Sequence, residues 1–173
     1  FLKRAVEINP KSSLVHHAIG SCHKNLNDSK KAITFYKKSL LFNPNQVSTL
    51  NDLGIVYSQI NQNKKAQDCF RKVLAIRPNW GTAHRHLSLV TNYQHEVTHF
   101  LELESLIKEK LSPADEIQIR YAYFKATSAK GKIDCAFENL TLSNNLRKAH
   151  SDYNIKNELQ IFNKVKKFFL KHK

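Results

Sequence analysis

At 173 residues and 41% apolar content, the chain is long enough for one folded core, and it holds no apolar run long enough for a membrane-spanning helix. Its three cysteines, Cys22, Cys69 and Cys135, form no CxxC pair. That excludes a disulfide frame or zinc knuckle and fits a reducing compartment, the cytoplasm. The net charge of +14 sits at the ends: residues 1–80 hold 13 Lys/Arg against 4 Asp/Glu, residues 81–146 hold 7 against 8, and residues 147–173 hold 8 against 2.

In chain order, "FLKRAVEINP" has no initiator Met and no apolar signal core, and it reads as half a helix ending at Pro10. The chain is therefore expected to be a fragment of a longer protein, with residues 1–12 the end of a partial unit. Proline then returns at Pro44, Pro78 and Pro113, at intervals of 34, 34 and 35 residues. A shift of 34 residues superposes Gly20 on Gly54, Ala32 on Ala66, Tyr36 on Phe70 and Pro44 on Pro78. Within residues 47–80, Leu50, Leu53, Gly54 and Tyr57 share one helical face, and Ala66, Phe70, Val73 and Leu74 share another. Each unit is thus two amphipathic helices. Glycine inside a helix costs about 1 kcal/mol relative to alanine, so Gly20 and Gly54 are expected at close helix crossings, with Ala32 and Ala66 as the small partners. Proline cannot continue a helix and is expected to end each second helix.

These residues resemble the tetratricopeptide repeat (TPR), whose pattern sets Leu-Gly, Tyr, Ala, an aromatic, a small residue and Pro at fixed positions. Residues 47–80 match through Leu53, Gly54, Tyr57, Ala66, Phe70 and Pro78, and residues 13–46 match with His16 and His23 at usually aromatic places. Residues 81–113 are degenerate, with Ser88 for the glycine and Phe100 for the alanine. Residues 114–150 form a TPR-like hairpin turning at Gly131. The resemblance implies an all-α, right-handed TPR superhelix (α-solenoid) of helix-turn-helix repeats that binds a protein or peptide in a concave groove. The stretch from Arg120 to His150 is also similar to the linker of bacterial TPR-sulfotransferase proteins, which implies a non-catalytic arm of such an enzyme as the alternative. The phosphosulfate loop that family needs, Pro-Arg-Ser-Gly-Thr-like, is missing from the sequence.

In TPR arrays the first helices line the groove. Here that face would carry Leu14, His17, Ser21 and Lys24, then Ser48, Asn51, Ile55, Ser58 and Gln59, then Thr82, Arg85, Leu89, Asn92 and Tyr93. The mix suits an extended peptide held by Asn and Arg. The carboxylate clamp of chaperone-tail binders would need Lys, Asn and Arg where this chain has His17, Ser21, Asp52, Thr82 and His86, which argues against chaperone docking. His95 and His99, spaced i, i+4, make half a zinc site without an HExxH frame; His16, His23 and His84 read as packing imidazoles. Cys22 and Cys69 read as small helix residues rather than nucleophiles. No catalytic constellation, cofactor site or metal site is expected, so the chain itself is not read as an enzyme.

Two lysine pairs, Lys30 and Lys31, then Lys64 and Lys65, recur at 34 residues behind Ser29 and Asn63, which read as N-caps. The first helical turn disfavours cations, so this ladder reads either as a solvated outer face or as a polyanion-binding surface. No aromatic platform is interleaved with it, which argues against nucleic acid. Residues 151–173 put Ile155, Leu159, Phe162 and Phe169 on one stripe, widened by Ile161, Val165 and Phe168 among lysines. They read as a basic amphipathic helix that caps the solenoid or links it onward, rather than one lying on a membrane.

Overall fold

The computed structural model describes Arg4, Glu7 and residues 9–150. Among these residues the chain forms eight helices and no strand: α1 Ser13–Asn25, α2 Ser29–Phe42, α3 Val47–Gln59, α4 Asn63–Ile76, α5 Gly81–Val90, α6 Thr98–Leu106, α7 Pro113–Ala129 and α8 Ile133–Ala149. The partial unit expected before Pro10 lies largely outside the described residues, and the amphipathic helix expected over 151–173 lies wholly outside them.

Local chemistry sets the boundaries. The Ser12 hydroxyl accepts from the Val15 amide at 3.3 Å, and the Asp28 carboxylate accepts from the Lys31 amide at 3.1 Å. Asp28 and Gln62, not Ser29 and Asn63, are therefore the caps of α2 and α4, and Gln62 makes no side-chain capping bond. The sequence reading erred by one residue because Ser and Asn at the first helical position look like caps themselves. The turns inside the hairpins each need one left-handed residue. Asn27 (φ 57°), Asn61 (φ 58°) and Gly131 (φ 73°) supply it. Before Pro44 and Pro78, Asn43 and Arg77 are extended (φ −143° and −135°), as a following proline demands, and α2 and α4 stop there. Pro113 behaves differently: it opens α7, where its missing N–H costs nothing, with Ser112 as the cap.

Helices α1/α2, α3/α4 and α7/α8 pair as hairpins, α2 packs on α3, and α4 packs on α5. The chain is an all-α solenoid. Gly20 and Gly54 do lie at close crossings, but the partner is an aromatic ring rather than Ala32 or Ala66. A β-carbon on Gly20 would sit 2.7 Å from Cδ1 of Tyr36, and one on Gly54 would sit 2.6 Å from Cε1 of Phe70. The two alanines are fully buried beside those rings.

The third unit departs from this pattern. Helices α5 and α6 are only 10 and 9 residues long, α5 packs chiefly on α7 and α4, and α6 packs on α7. Ser88 is buried where the other units have glycine, its hydroxyl donating to the Arg85 carbonyl at 2.7 Å. Phe100, bulky where they have alanine, packs on Tyr123 of α7 with ring centroids 5.7 Å apart. Without the small residues the hairpin cannot close as it does in the first two units. Helix α7 compensates at the other end of α5: Gly81 approaches the Asp115 backbone, and the Asp115 carboxylate accepts the Gly81 amide at 2.9 Å.

Candidate functional site

Helices α1, α3, α5 and α7 are joined side by side through polar side chains. His17 Nδ1 meets the Thr49 hydroxyl at 3.0 Å, and Lys24 Nζ donates to Asp52 at 3.0 Å. Asn51 Oδ1 meets His86 Nδ1 at 3.0 Å, and Arg85 donates to Gln118 Oε1 at 3.0 Å while its guanidinium lies 4.7 Å over the Tyr121 ring. Asp52 gathers the contacts between α1 and α3: it also accepts from the Tyr36 hydroxyl at 3.3 Å and lies 3.9 Å from His17. Burial holds the His17 imidazole below its usual range, with the Asp52 carboxylate opposing and Lys24 reinforcing. His86 is likewise held down by burial and by Arg85, against Asp52. Burial also pushes the Tyr36 phenol up to about 12, so it stays a hydrogen-bond donor.

The residues assigned to the groove from sequence divide into three groups. His17, Lys24, Asn51 and Arg85 are half-buried and tied to the next unit; Ser21 bonds back to Tyr36 at 3.2 Å. Leu14 and Leu89 are 69% and 52% exposed, and Ser48, Gln59 and Asn92 are exposed with them. Thr82, Ile55 and Ser58 are half-buried, with Ile55 against the core. Tyr93 must be removed from the set. It is 2% exposed because α5 ends at Val90 and the chain folds the ring inward, onto His99. Sequence reading missed Thr49, Gln118 and Tyr121 and weighed His86 only as a place in the carboxylate clamp; their partners on this face lie 32 to 36 residues away across helix boundaries.

Half of the lysine ladder is engaged at its own helix starts. Lys31 pairs with Asp28 at 3.0 Å, and Lys65 donates to Gln62 at 2.9 Å while lying 5.5 Å over the Tyr57 ring. The acidic and amide caps thus offset part of the cost of cations in the first turn. Lys30 and Lys64 are exposed.

A second cluster lies among α4, α5 and α6. His16 and His84 are buried as the sequence suggests, and they share a device: each places Nε2 on the carbonyl of the proline six residues earlier, at 2.8 Å to Pro10 and 2.7 Å to Pro78. His84 Nδ1 lies 3.0 Å from His99 Nε2, and His99 Nδ1 lies 2.7 Å from the Tyr93 hydroxyl. A carbonyl only accepts, so the neutral chain has a single direction. Tyr93 donates to His99, His99 donates from Nε2 to His84, and His84 donates to Pro78. Burial, with His84 and Arg71 nearby, pushes His99 down to about 3. His95, the sequence partner considered for His99, is exposed on the segment before α6 and shares no helix face with it. Glu102, one turn beyond His99, brings a carboxylate into the group, and one ligand atom from each of His84, His99 and Glu102 lies within 4.8 Å of the others. The cluster opens onto a cavity of about 490 Å3 lined by Arg71, Asn79, His84, Glu102 and Glu109 among others. No spacing rule could find it, because α5 and α6 meet only in the fold.

Residues 15–46 and 47–79 match the tetratricopeptide repeat family model. Among solved structures, MamA 41-end from Desulfovibrio magneticus RS-1 is 22% identical, with 87% of this chain and 84% of that one covered at a TM-score of 0.68. YrrB, described as a TPR protein with an unusual peptide-binding site, is 18% identical, covers 87% and 77%, and scores 0.66. Pseudomonas aeruginosa pilF is 16% identical, covers 90% and 68%, and scores 0.64. At these identities the likeness is one of fold. No curated protein matches the chain.

Proposed function

We propose that the chain is a protein- or peptide-binding scaffold acting through the face of α1, α3, α5 and α7, without chemistry of its own. The observation that carries this reading is the set of polar pairs, His17 with Thr49, Asn51 with His86 and Arg85 with Gln118, which tie each helix of this face to the next and fix these side chains before a ligand arrives. Side chains fixed in this way lose little entropy on binding. Arg85 is held by Gln118 and Tyr121 yet half-exposed, so its remaining N–H groups can meet a peptide carbonyl or carboxylate. Asn51, whose Oδ1 is held by His86, offers its amide NH2, and the exposed Leu14 and Leu89 give apolar contact. The similarity to YrrB, a TPR protein with a peptide-binding site, supports the same use of the fold. The four units are taken as 13–46, 47–80, 81–113 and 114–150, working in the reducing cytoplasm that the free cysteines suit.

The test is affinity capture followed by titration of the recovered partner against wild type, Asn51→Ala and Arg85→Ala. Loss of about tenfold or more in affinity in each variant, with helical content unchanged, is the expected result. If both variants bind the same partners as tightly as wild type, the groove reading fails. Retention on heparin that disappears only when Lys30, Lys31, Lys64 and Lys65 become Glu would instead favour the polyanion surface. For the parent protein, an arm of a sulfotransferase is a second proposal, resting on the resemblance of the stretch from Arg120 to His150. A Pro-Arg-Ser-Gly-Thr-like loop in any sequence following Lys173 would establish it.

A further inference from the structure

The geometry points to a divalent transition-metal site of the zinc type formed by His84, His99 and Glu102, separate from the peptide face. Three observations converge on it. First, the two imidazoles come from different helices yet aim His84 Nδ1 and His99 Nε2 at one another across 3.0 Å, and the Glu102 carboxylate joins them within 4.8 Å. Two imidazoles and a carboxylate are the donor set that suits zinc and its neighbours in the first transition row. Second, the far nitrogen of each ring is already anchored. His84 Nε2 donates to the Pro78 carbonyl at 2.7 Å, and His99 Nδ1 is 2.7 Å from the Tyr93 hydroxyl. A ligating histidine characteristically has such a partner on its second nitrogen, which fixes ring orientation. Third, the site is not sealed: His84 and Glu102 line the cavity of about 490 Å3, which gives an ion its entry and a water the fourth position.

Occupancy requires the two rings to turn as well as part. Zinc bonds of about 2.0–2.2 Å place tetrahedral ligand atoms about 3.3 Å apart. The two rings are nearly coplanar, with centroids 5.3 Å apart, and face head-on across their hydrogen bond, so besides parting by a few tenths of an ångström each must pivot by about 35° toward a shared tetrahedral ion, while the exposed Glu102 side chain swings inward. The His99 proton moves from Nε2 to Nδ1 and is donated to the Tyr93 oxygen, whose own hydrogen rotates away from His99, leaving both facing lone pairs for the ion. No proton is lost from either ring. The charge balance is favourable although a cation sits nearby. Arg71 lines the cavity but is paired with Glu96 at 3.1 Å, and Glu102 and Glu109 add two further carboxylates.

The experiment titrates zinc chloride into the chelator-stripped chain by calorimetry at neutral pH and repeats the titration with cobalt(II), whose visible absorption reports tetrahedral nitrogen and oxygen ligation. Wild type should bind one equivalent of each. Glu102→Gln alters an exposed side chain and should keep the fold by circular dichroism while weakening zinc at least tenfold. Tyr93→Phe keeps the ring, removes the anchor on His99 and should weaken it by about tenfold. His95→Ala, remote on the preceding segment, should leave affinity unchanged. The proposal is overturned if wild type takes up no saturable equivalent of zinc, or if Glu102→Gln binds it as tightly as wild type, which would place the ion on other histidines.

Discussion

Replacing Gly54 with alanine tests the packing on which the repeat rests. On an open helix surface the change would stabilise the chain by about 1 kcal/mol. Here the added methyl would lie 2.6, 2.8 and 3.0 Å from Cε1, Cζ and Cδ1 of Phe70. Ordinary carbon contacts lie at about 3.5 Å, so the ring must retreat by about 1 Å. It has little room, being 1% exposed and enclosed by Leu53, Val56, Tyr57, Ala66, Leu87 and Val90. Overpacking of this kind costs about 1–3 kcal/mol, and an enclosed ring belongs at the upper end. Set against the helical gain, the net loss is about 2 kcal/mol, or a fall in Tm of about 4–8 °C for a chain of this size. Urea unfolding followed by circular dichroism gives the number. The double variant with Phe70→Leu should recover part of the loss, with a coupling of at least about 1 kcal/mol. Should Gly54→Ala raise the midpoint, or should the two changes simply add, the close-crossing account is wrong.

The hairpin turns give a second expectation: Asn61→Gly should stabilise by a few tenths of a kcal/mol, because φ 58° strains any β-carbon, whereas Gly131→Ala at φ 73° should cost about 1 kcal/mol by the same denaturation assay. Cysteine labelling should separate the thiols. Burial pushes Cys69 up to about 11, so its thiolate stays scarce at moderately alkaline pH, and the folded chain should leave it unmodified until urea is added, while exposed Cys22 reacts at once. Equal rates for the two would contradict the packing of α4. Stability should also fall with acid. His17 and His86 are held below their ordinary 6.5 in the folded chain, so the unfolded chain takes up protons first. Their contribution is full above about pH 6.5 and is lost as the pH falls below it toward the folded values. The urea midpoint should drop between about pH 7 and pH 5, and His86→Gln should flatten that drop; an identical slope in the variant would remove His86 from the account.

The sequence by itself determined the repeat. Gly20, Gly54, Ala32, Ala66 and the prolines at 34-residue spacing are packing and breaking residues whose roles are local to one hairpin, so a single strand of text carries them. It also signalled where the repeat weakens, because Ser88 and Phe100 are visibly the wrong size for a tight crossing. What only the tertiary structure decided lies between hairpins. Periodicity places His17 and Arg85 on one side of a helix, but whether such a side chain is free or tied to Thr49 or Gln118 depends on the neighbouring helix. Periodicity also extended the α5 face to Tyr93, whereas the helix ends at Val90 and the ring turns inward. The meeting of His84 with His99 arises because the third hairpin does not close in the usual way. That follows from volumes filled in three dimensions, which no pattern of spacings along the chain can specify.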